Sequence, residues 1–141
     1  MPELDYVILA DYVRQDAGTM HIMAAGLDTI HIPAAVLPAA FQVGIAVRIM
    51  FSSQDPVGEE HKLSIEFSGP DGSQLLTAAQ HFPTPAPPEG IPPTWRHAAG
   101  IAFRVPLPLP AHGEYELQLM LDDDPRLSRT LNLRAVEPAV G

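Results

Sequence analysis

The chain has 141 residues, of which 46% are hydrophobic and 16 are proline, and it contains no cysteine. That length suits a single domain over residues 1–141, burying about two thirds of its unfolded surface without a disulfide staple, and the missing thiols exclude a thiolate metal site and a cysteine nucleophile. Eight basic residues against 17 acidic ones give a net charge of −9, which repels a phosphate backbone or an anionic bilayer and so counts against nucleic-acid and membrane partners.

The N-terminus, Met1-Pro2-Glu3-Leu4-Asp5, carries acid where a secretory signal carries positive charge. No apolar run approaches the roughly 18 residues of a membrane span, so a cytoplasmic location is expected. Strands show as period-two alternation, because successive side chains leave a strand on opposite faces. Leu4, Tyr6, Ile8, Ala10 and Tyr12 alternate with Asp5, Val7, Leu9, Asp11 and Val13, which predicts one strand over 5–15 closed by an Asp16-Ala17-Gly18 turn. Residues 20–32 read as a second strand with a bulge at Gly26, where the polar parity shifts. Two prolines in 33–40 allow no more than one helical turn.

The clearest strand is 41–51, with Phe41, Val43, Ile45, Val47, Ile49 and Phe51 on one face. Leu63, Ile65 and Phe67 repeat the pattern over 62–68. The turn Gly69-Pro70-Asp71-Gly72 then joins this strand to 74–80 as a hairpin. Residues 82–95 hold too many prolines to supply ladder donors, and they read as an extended polyproline-like excursion. Alternation resumes in Ala99, Ile101, Phe103, Val105 and Leu107, with Pro106, Pro108 and Pro110 expected to end that strand's pairing. Tyr115, Leu117, Leu119 and Leu121 follow, then an Asp122-Asp123-Asp124-Pro125 turn, and a last strand over 127–136 with Leu131 and Leu133 inward.

About eight strands separated by turn chemistry describe an all-β sandwich or barrel. Gly113-Glu114-Tyr115 entering the penultimate strand resembles the tyrosine corner of immunoglobulin-like domains, with Leu117 where antibody domains carry their second cysteine. The expected fold is therefore an immunoglobulin-like antiparallel β-sandwich of about 7–9 strands with a long proline-rich loop near 83–95. Several segments also resemble an uncharacterised family of small bacterial proteins, a domain of unknown function. They are Pro2-Glu3-Leu4-Asp5-Tyr6 with Ala10-Asp11-Tyr12, Gly26-Leu27-Asp28-Thr29-Ile30, the proline-rich excursion ending in Trp95, and Pro106-Leu107-Pro108-Leu109-Pro110 followed by Gly113 and Tyr115. The resemblance covers nearly the whole chain and implies no activity or site residue.

Six histidines, His21, His31, His61, His81, His97 and His112, raise a metal site, but neither the helical His-x-x-x-His nor the strand His-x-His spacing occurs. His21 and His31 on one strand would stand about 33 Å apart, and surface or strand-end positions suit the histidines better. In Met20-His21-Ile22-Met23 only His21 and Met23 share a strand face, so packing by adaptable methionine is preferred over copper. Asp122-Asp123-Asp124 lacks the spaced ligands of a calcium loop and reads as a turn. Ser52, Ser53, Ser68, Ser73 and Ser128 sit in no Gly-x-Ser-x-Gly elbow, Glu59-Glu60 are mere sequence neighbours, and no glycine-rich phosphate loop exists. No catalytic residue, cofactor or metal is assigned.

The segment 83–96 is the most suggestive. Pro85-Ala86-Pro87-Pro88 has the form of a PxxP ligand, and Trp95 beside Arg96 has the composition of an interface anchor; the competing reading folds Trp95 onto the core as a plug. The expected role is a non-catalytic protein-interaction or structural module, with Pro85, Pro88, Trp95 and Arg96 meeting a protein partner or a second copy. The alternative is a domain binding a carbohydrate or a metal ion, or an uncharacterised enzyme. One Trp, three Tyr and five Phe are few for a sugar platform.

Overall fold

The computed structural model describes residues 2–16 and 19–139. Its strands are β1 (Glu3–Ala10), β2 (Tyr12–Asp16), β3 (Thr19–Met23), β4 (Thr29–His31), β5 (Ala39–Phe51), β6 (Glu60–Ser68), β7 (Gln74–Pro83), β8 (His97–Leu109), β9 (Gly113–Leu121) and β10 (Ser128–Val136), with 3₁₀ turns at Ala34–Val36 and Pro125–Leu127. One sheet has the order β1-β5-β8, a second β4-β10-β9-β6-β7, and β2-β3 form a separate hairpin. All pairings are antiparallel except β4 with β10, which is parallel. No helix among the described residues is long and apolar enough to cross a membrane.

Period two decides what faces the core. Val43, Ile45, Val47, Ile49 and Phe51 on β5 are fully buried, as are Leu117, Leu119 and Leu121 on β9, and all belong to one cluster fed by both large sheets. The even positions of β5 point the other way. There Ala46 packs with Ala10 and Val13, beside Ile8, Met20, Ile22 and Ala102, so the hairpin β2-β3 covers the outer face of the smaller sheet. Small residues make that approach possible. A Cβ on Gly44 would lie 2.8 Å from the Val13 backbone nitrogen, and one on Gly100 would lie 3.2 Å from the Met20 side chain.

The N-terminal third departs from the simple alternation. The expected strand 5–15 breaks at Asp11 into β1 and β2, which belong to different sheets. A register shift between Leu4 and Tyr6 also reverses parity within β1. Leu4, Val7 and Leu9 therefore face the main core, while Ile8 and Ala10 face the hairpin. The predicted turn residues Ala17 and Gly18 lie outside the described residues; Asp16 pairs with Thr19 across them. The run 20–32 is likewise two strands, β3 and β4. In place of a bulge, Gly26 at φ +83° carries the chain across, and the Gly26 and Leu27 N–H groups donate to the Leu9 carbonyl at 2.8 and 3.0 Å.

Elsewhere the expected elements appear with shifted ends. Gly72 takes φ +81° and donates to the Gly69 carbonyl at 3.0 Å in the turn joining β6 to β7. Pro106 and Pro108 do not end pairing, since they stand opposite Gln42 and Ala40 inside β8. They share one parity on an edge strand, so their absent N–H groups would have faced the open side and the ladder to β5 is kept. Leu133 is buried and Leu131 half-buried on β10, as expected. The Tyr115 hydroxyl donates to the Ala111 carbonyl and accepts from the Ala111 N–H at 3.3 Å, while its ring stacks on Phe67 with centroids 5.2 Å apart. Tyr115→Phe should remove both hydrogen bonds to Ala111 and cost about 1–2 kcal/mol, read by urea denaturation.

Candidate functional site

Between Pro83 and His97 no strand or helix forms, and both roots of this connection are tied to one buried cluster. Extending the core-facing parity of β6 one step before Leu63 gives His61, and extending that of β8 before Ala99 gives His97. These two histidines are 4% and 6% exposed. The ladders place Phe82 opposite His61 and Phe51 opposite His97. The rings pack accordingly: Phe51 lies 5.5 Å from His61, 5.9 Å from His97 and 6.5 Å from Phe82, and His61 lies 5.6 Å from Phe82.

The polar atoms of this cluster are satisfied by the chain around it. His61 Nδ1 is 2.7 Å from Asp122 Oδ2, and His61 Nε2 is 2.7 Å from the hydroxyl of Thr84. A neutral ring donates from Nδ1 to the carboxylate and accepts the Thr84 proton at Nε2. A doubly protonated ring donates at both nitrogens and leaves the hydroxyl to the Glu59 carbonyl, 3.3 Å away. Asp122 and Asp123 hold the left-handed backbone (φ +54° and +56°), which brings Asp122 Oδ1 to the Lys62 N–H at 2.9 Å and Asp123 to the Lys62 ammonium at 2.6 Å. The aspartate run is therefore a turn, as expected, but its first carboxylate also holds a buried histidine.

Thr84 sits at the other end. It is 1% exposed, its N–H donates to the Glu59 carbonyl at 2.8 Å, and its carbonyl accepts from the Gly58 N–H at 3.0 Å. The preceding loop is fixed by Asp55, whose carboxylate accepts from the Ser52 N–H at 2.8 Å and the Ser52 hydroxyl at 3.2 Å. Burial raises the Asp55 carboxyl, and the hydrogen bonds it accepts, led by the Ser52 N–H, bring it net below its ordinary value. Asp124 is held low by the Arg126 guanidinium and N–H, which donate to it.

An Asp122-His61-Thr84 chain has the connectivity of a hydrolase triad. Here the hydroxyl is sealed beneath the surface and bonded within the cluster, so it has no path to a substrate carbonyl. What the arrangement does is fasten a loop. His97 Nε2 donates to the Pro85 carbonyl at 3.1 Å, so Thr84 and Pro85 at the entry and His97 at the exit are all pinned to the core.

The four residues singled out from the sequence ride on that fastened segment. Pro85 is half-buried at its root, and Pro88 is exposed with its carbonyl accepting from the Ile91 N–H at 3.2 Å. Trp95 is 61% exposed, so it does not plug the core. Its N–H donates to the Pro92 carbonyl at 3.0 Å, and the neighbouring Arg96 pairs with Glu3 at 2.7 Å. His61 and His97 lie at strand ends, one of the two positions expected for the histidines, but both are buried; the signal that would have found that burial is the parity argument above. Met20 packs on the smaller sheet while Met23 is 64% exposed. Among the described residues no group of three or more His, Cys, Asp or Glu is arranged to hold a metal ion.

Comparison with known proteins places this architecture. No curated protein matches the sequence. Among solved structures, the crystal structure of the C-terminal domain of wzt matches with a TM-score of 0.50 and 13% identity, over 98% of this chain and 75% of that one. A likeness at that identity concerns the fold alone. A family model matches residues 5–134, and on that match the chain belongs to DUF6941, a family of unknown function.

Proposed function

We propose that this chain is an immunoglobulin-like β-sandwich acting as a non-catalytic protein-interaction module of a bacterial cytoplasm, with the segment carrying Pro85, Pro88, Trp95 and Arg96 as its contact surface. The fold reading draws on the strand orders β1-β5-β8 and β4-β10-β9-β6-β7. They correspond to the A-B-E and A′-G-F-C-C′ sheets of such domains, with the connection 84–96 standing where strand D would run. The Tyr115 hydroxyl bonded to Ala111 supports the same reading, being a tyrosine corner at the start of strand F.

The observation that carries the functional reading is the exposure of Trp95, at 61%, on a connection pinned at both roots. A large amphipathic ring held on a fastened loop loses little freedom on binding, which favours it as an anchor. Trp95 is the only tryptophan, so its fluorescence reports directly. Free protein should emit at a solvent-exposed wavelength and shift to the blue in a complex. Trp95→Ala should abolish binding of partners recovered with the protein while changing stability by no more than about 0.5 kcal/mol. Unaltered binding with a marked loss of stability would overturn the proposal.

A second reading, a domain binding a small polar ligand such as a carbohydrate, draws on a groove of about 750 Å³. It is lined by Asp28, Glu114, Glu116, Asn132, Arg134 and the Gly69–Gly72 turn. Calorimetric titration with neutral and cationic sugars tests it.

A further inference from the structure

Each of the two large sheets ends in two edge strands, β1 and β8 in one, β4 and β7 in the other. Three of these edges are partly obstructed or short. On β1 the Leu4 carbonyl accepts from Arg129 at 2.9 Å and the Leu9 carbonyl accepts from Gly26 and Leu27. On β8, Pro106 and Pro108 remove donors, and β4 has only three residues. The fourth edge is different. β7 runs for 10 residues, Gln-Leu-Leu-Thr-Ala-Ala-Gln-His-Phe-Pro, with no Asp, Glu, Lys or Arg and no proline before the last. Among the described residues, nothing from beyond β6 bonds to the backbone of 74–82. Phe82 packs on Phe51 of the smaller sheet at one end and Leu75 and Leu76 are half-buried at the other, while Thr77 to His81 between them are exposed on both faces. A long, uncharged, unobstructed edge is the kind that natural monomers avoid, because its free N–H and C=O groups are a template for another strand.

We propose that β7 pairs antiparallel with β7 of a second copy of this chain, about a two-fold axis at Ala78, so that two five-stranded sheets become one. Residues directly opposite in a ladder must share a face, so the axis falls on a residue and not between two. With the axis at Ala78, Thr77 faces the partner's Ala79 and Leu76 faces the partner's Gln80. The ladder then uses 76–80, short of the register shift beside Leu75 and of the buried Phe82. Charge selects the occupant. In a molecule of net charge −9, β7 is a long edge strand on which self-pairing sets no like charges opposite each other. A basic peptide would find no carboxylate on the strand to attract it. This contact uses a different surface from Trp95 and stands independently of the role proposed for that residue.

Sedimentation velocity of the full chain over a range of concentrations tests the pairing. The wild type should approach twice the 15.2 kDa chain mass. Thr77→Lys with Ala79→Lys sets ammonium groups opposite one another twice across the axis and should weaken association by about tenfold or more. Thr77→Lys with Ala79→Glu sets opposite charges in those same positions and should restore it, and circular dichroism should be unchanged for both variants. A protein monomeric at every concentration, leaving the edge for an unrelated strand, overturns the proposal. So does a dimer indifferent to the two lysines, or one not rescued by the charge swap.

Discussion

Replacing His61 with alanine should lower the free energy of unfolding by about 3–5 kcal/mol, the largest effect expected from any single polar residue in the chain. The substitution leaves a void against Phe51 and Phe82, and it takes a partner from the Asp122 carboxylate and from the sealed Thr84 hydroxyl. The loss should appear as a lower urea midpoint with an unchanged slope, since the surface exposed on unfolding hardly changes. Thr84→Val keeps the shape but removes the hydroxyl facing Nε2, and should cost about 1–3 kcal/mol. The two losses should be non-additive, because each removes the same contact. Additive losses, or a loss below about 1 kcal/mol for His61→Ala, would show that the cluster does not hold the connection 84–96 in place.

Gly44→Val should cost about 3 kcal/mol by a different route, overpacking. The obstruction at this position is the Val13 backbone as well as its side chain, so relief requires the hairpin β2-β3 to lift from the smaller sheet. Hydrogen exchange should therefore accelerate across 12–23 more than in β9 or β10. A uniform acceleration would mean that the hairpin and the main core unfold as one unit, and an unchanged midpoint would mean that the contact is not tight.

How much of this was legible in the sequence depended on whether the alternation was interrupted. Where both faces of a strand kept one parity, as in 41–51 and 115–121, the buried set was readable directly. At the N-terminus it was not. The residue that reverses parity, Asp5, looks like any exposed polar position, and the move of β2 onto the outside of the smaller sheet is set by Gly44 and Ala46, some thirty residues away. The prolines of β8 misled because their effect depends on which side of the ladder they face, and that is a property of sheet order. Pro85, Pro88, Trp95 and Arg96 were singled out by composition. The cluster that fastens them was overlooked because His61 and His97 were weighed as metal ligands and not as continuations of core-facing runs.

The parallel pairing of β4 with β10 sets Thr29 beside Arg134 and His31 beside Val136, which has a consequence during synthesis. A chain emerging from the ribosome can close the β6-β7 hairpin early, but the larger sheet cannot be completed until the segment around residue 136 has cleared the exit tunnel. Until then, the apolar side of β9 lacks its β10 neighbour and the nascent protein exposes a greasy seam. A stall or truncation upstream of β10 should therefore yield aggregates where a chain extending past it yields folded product.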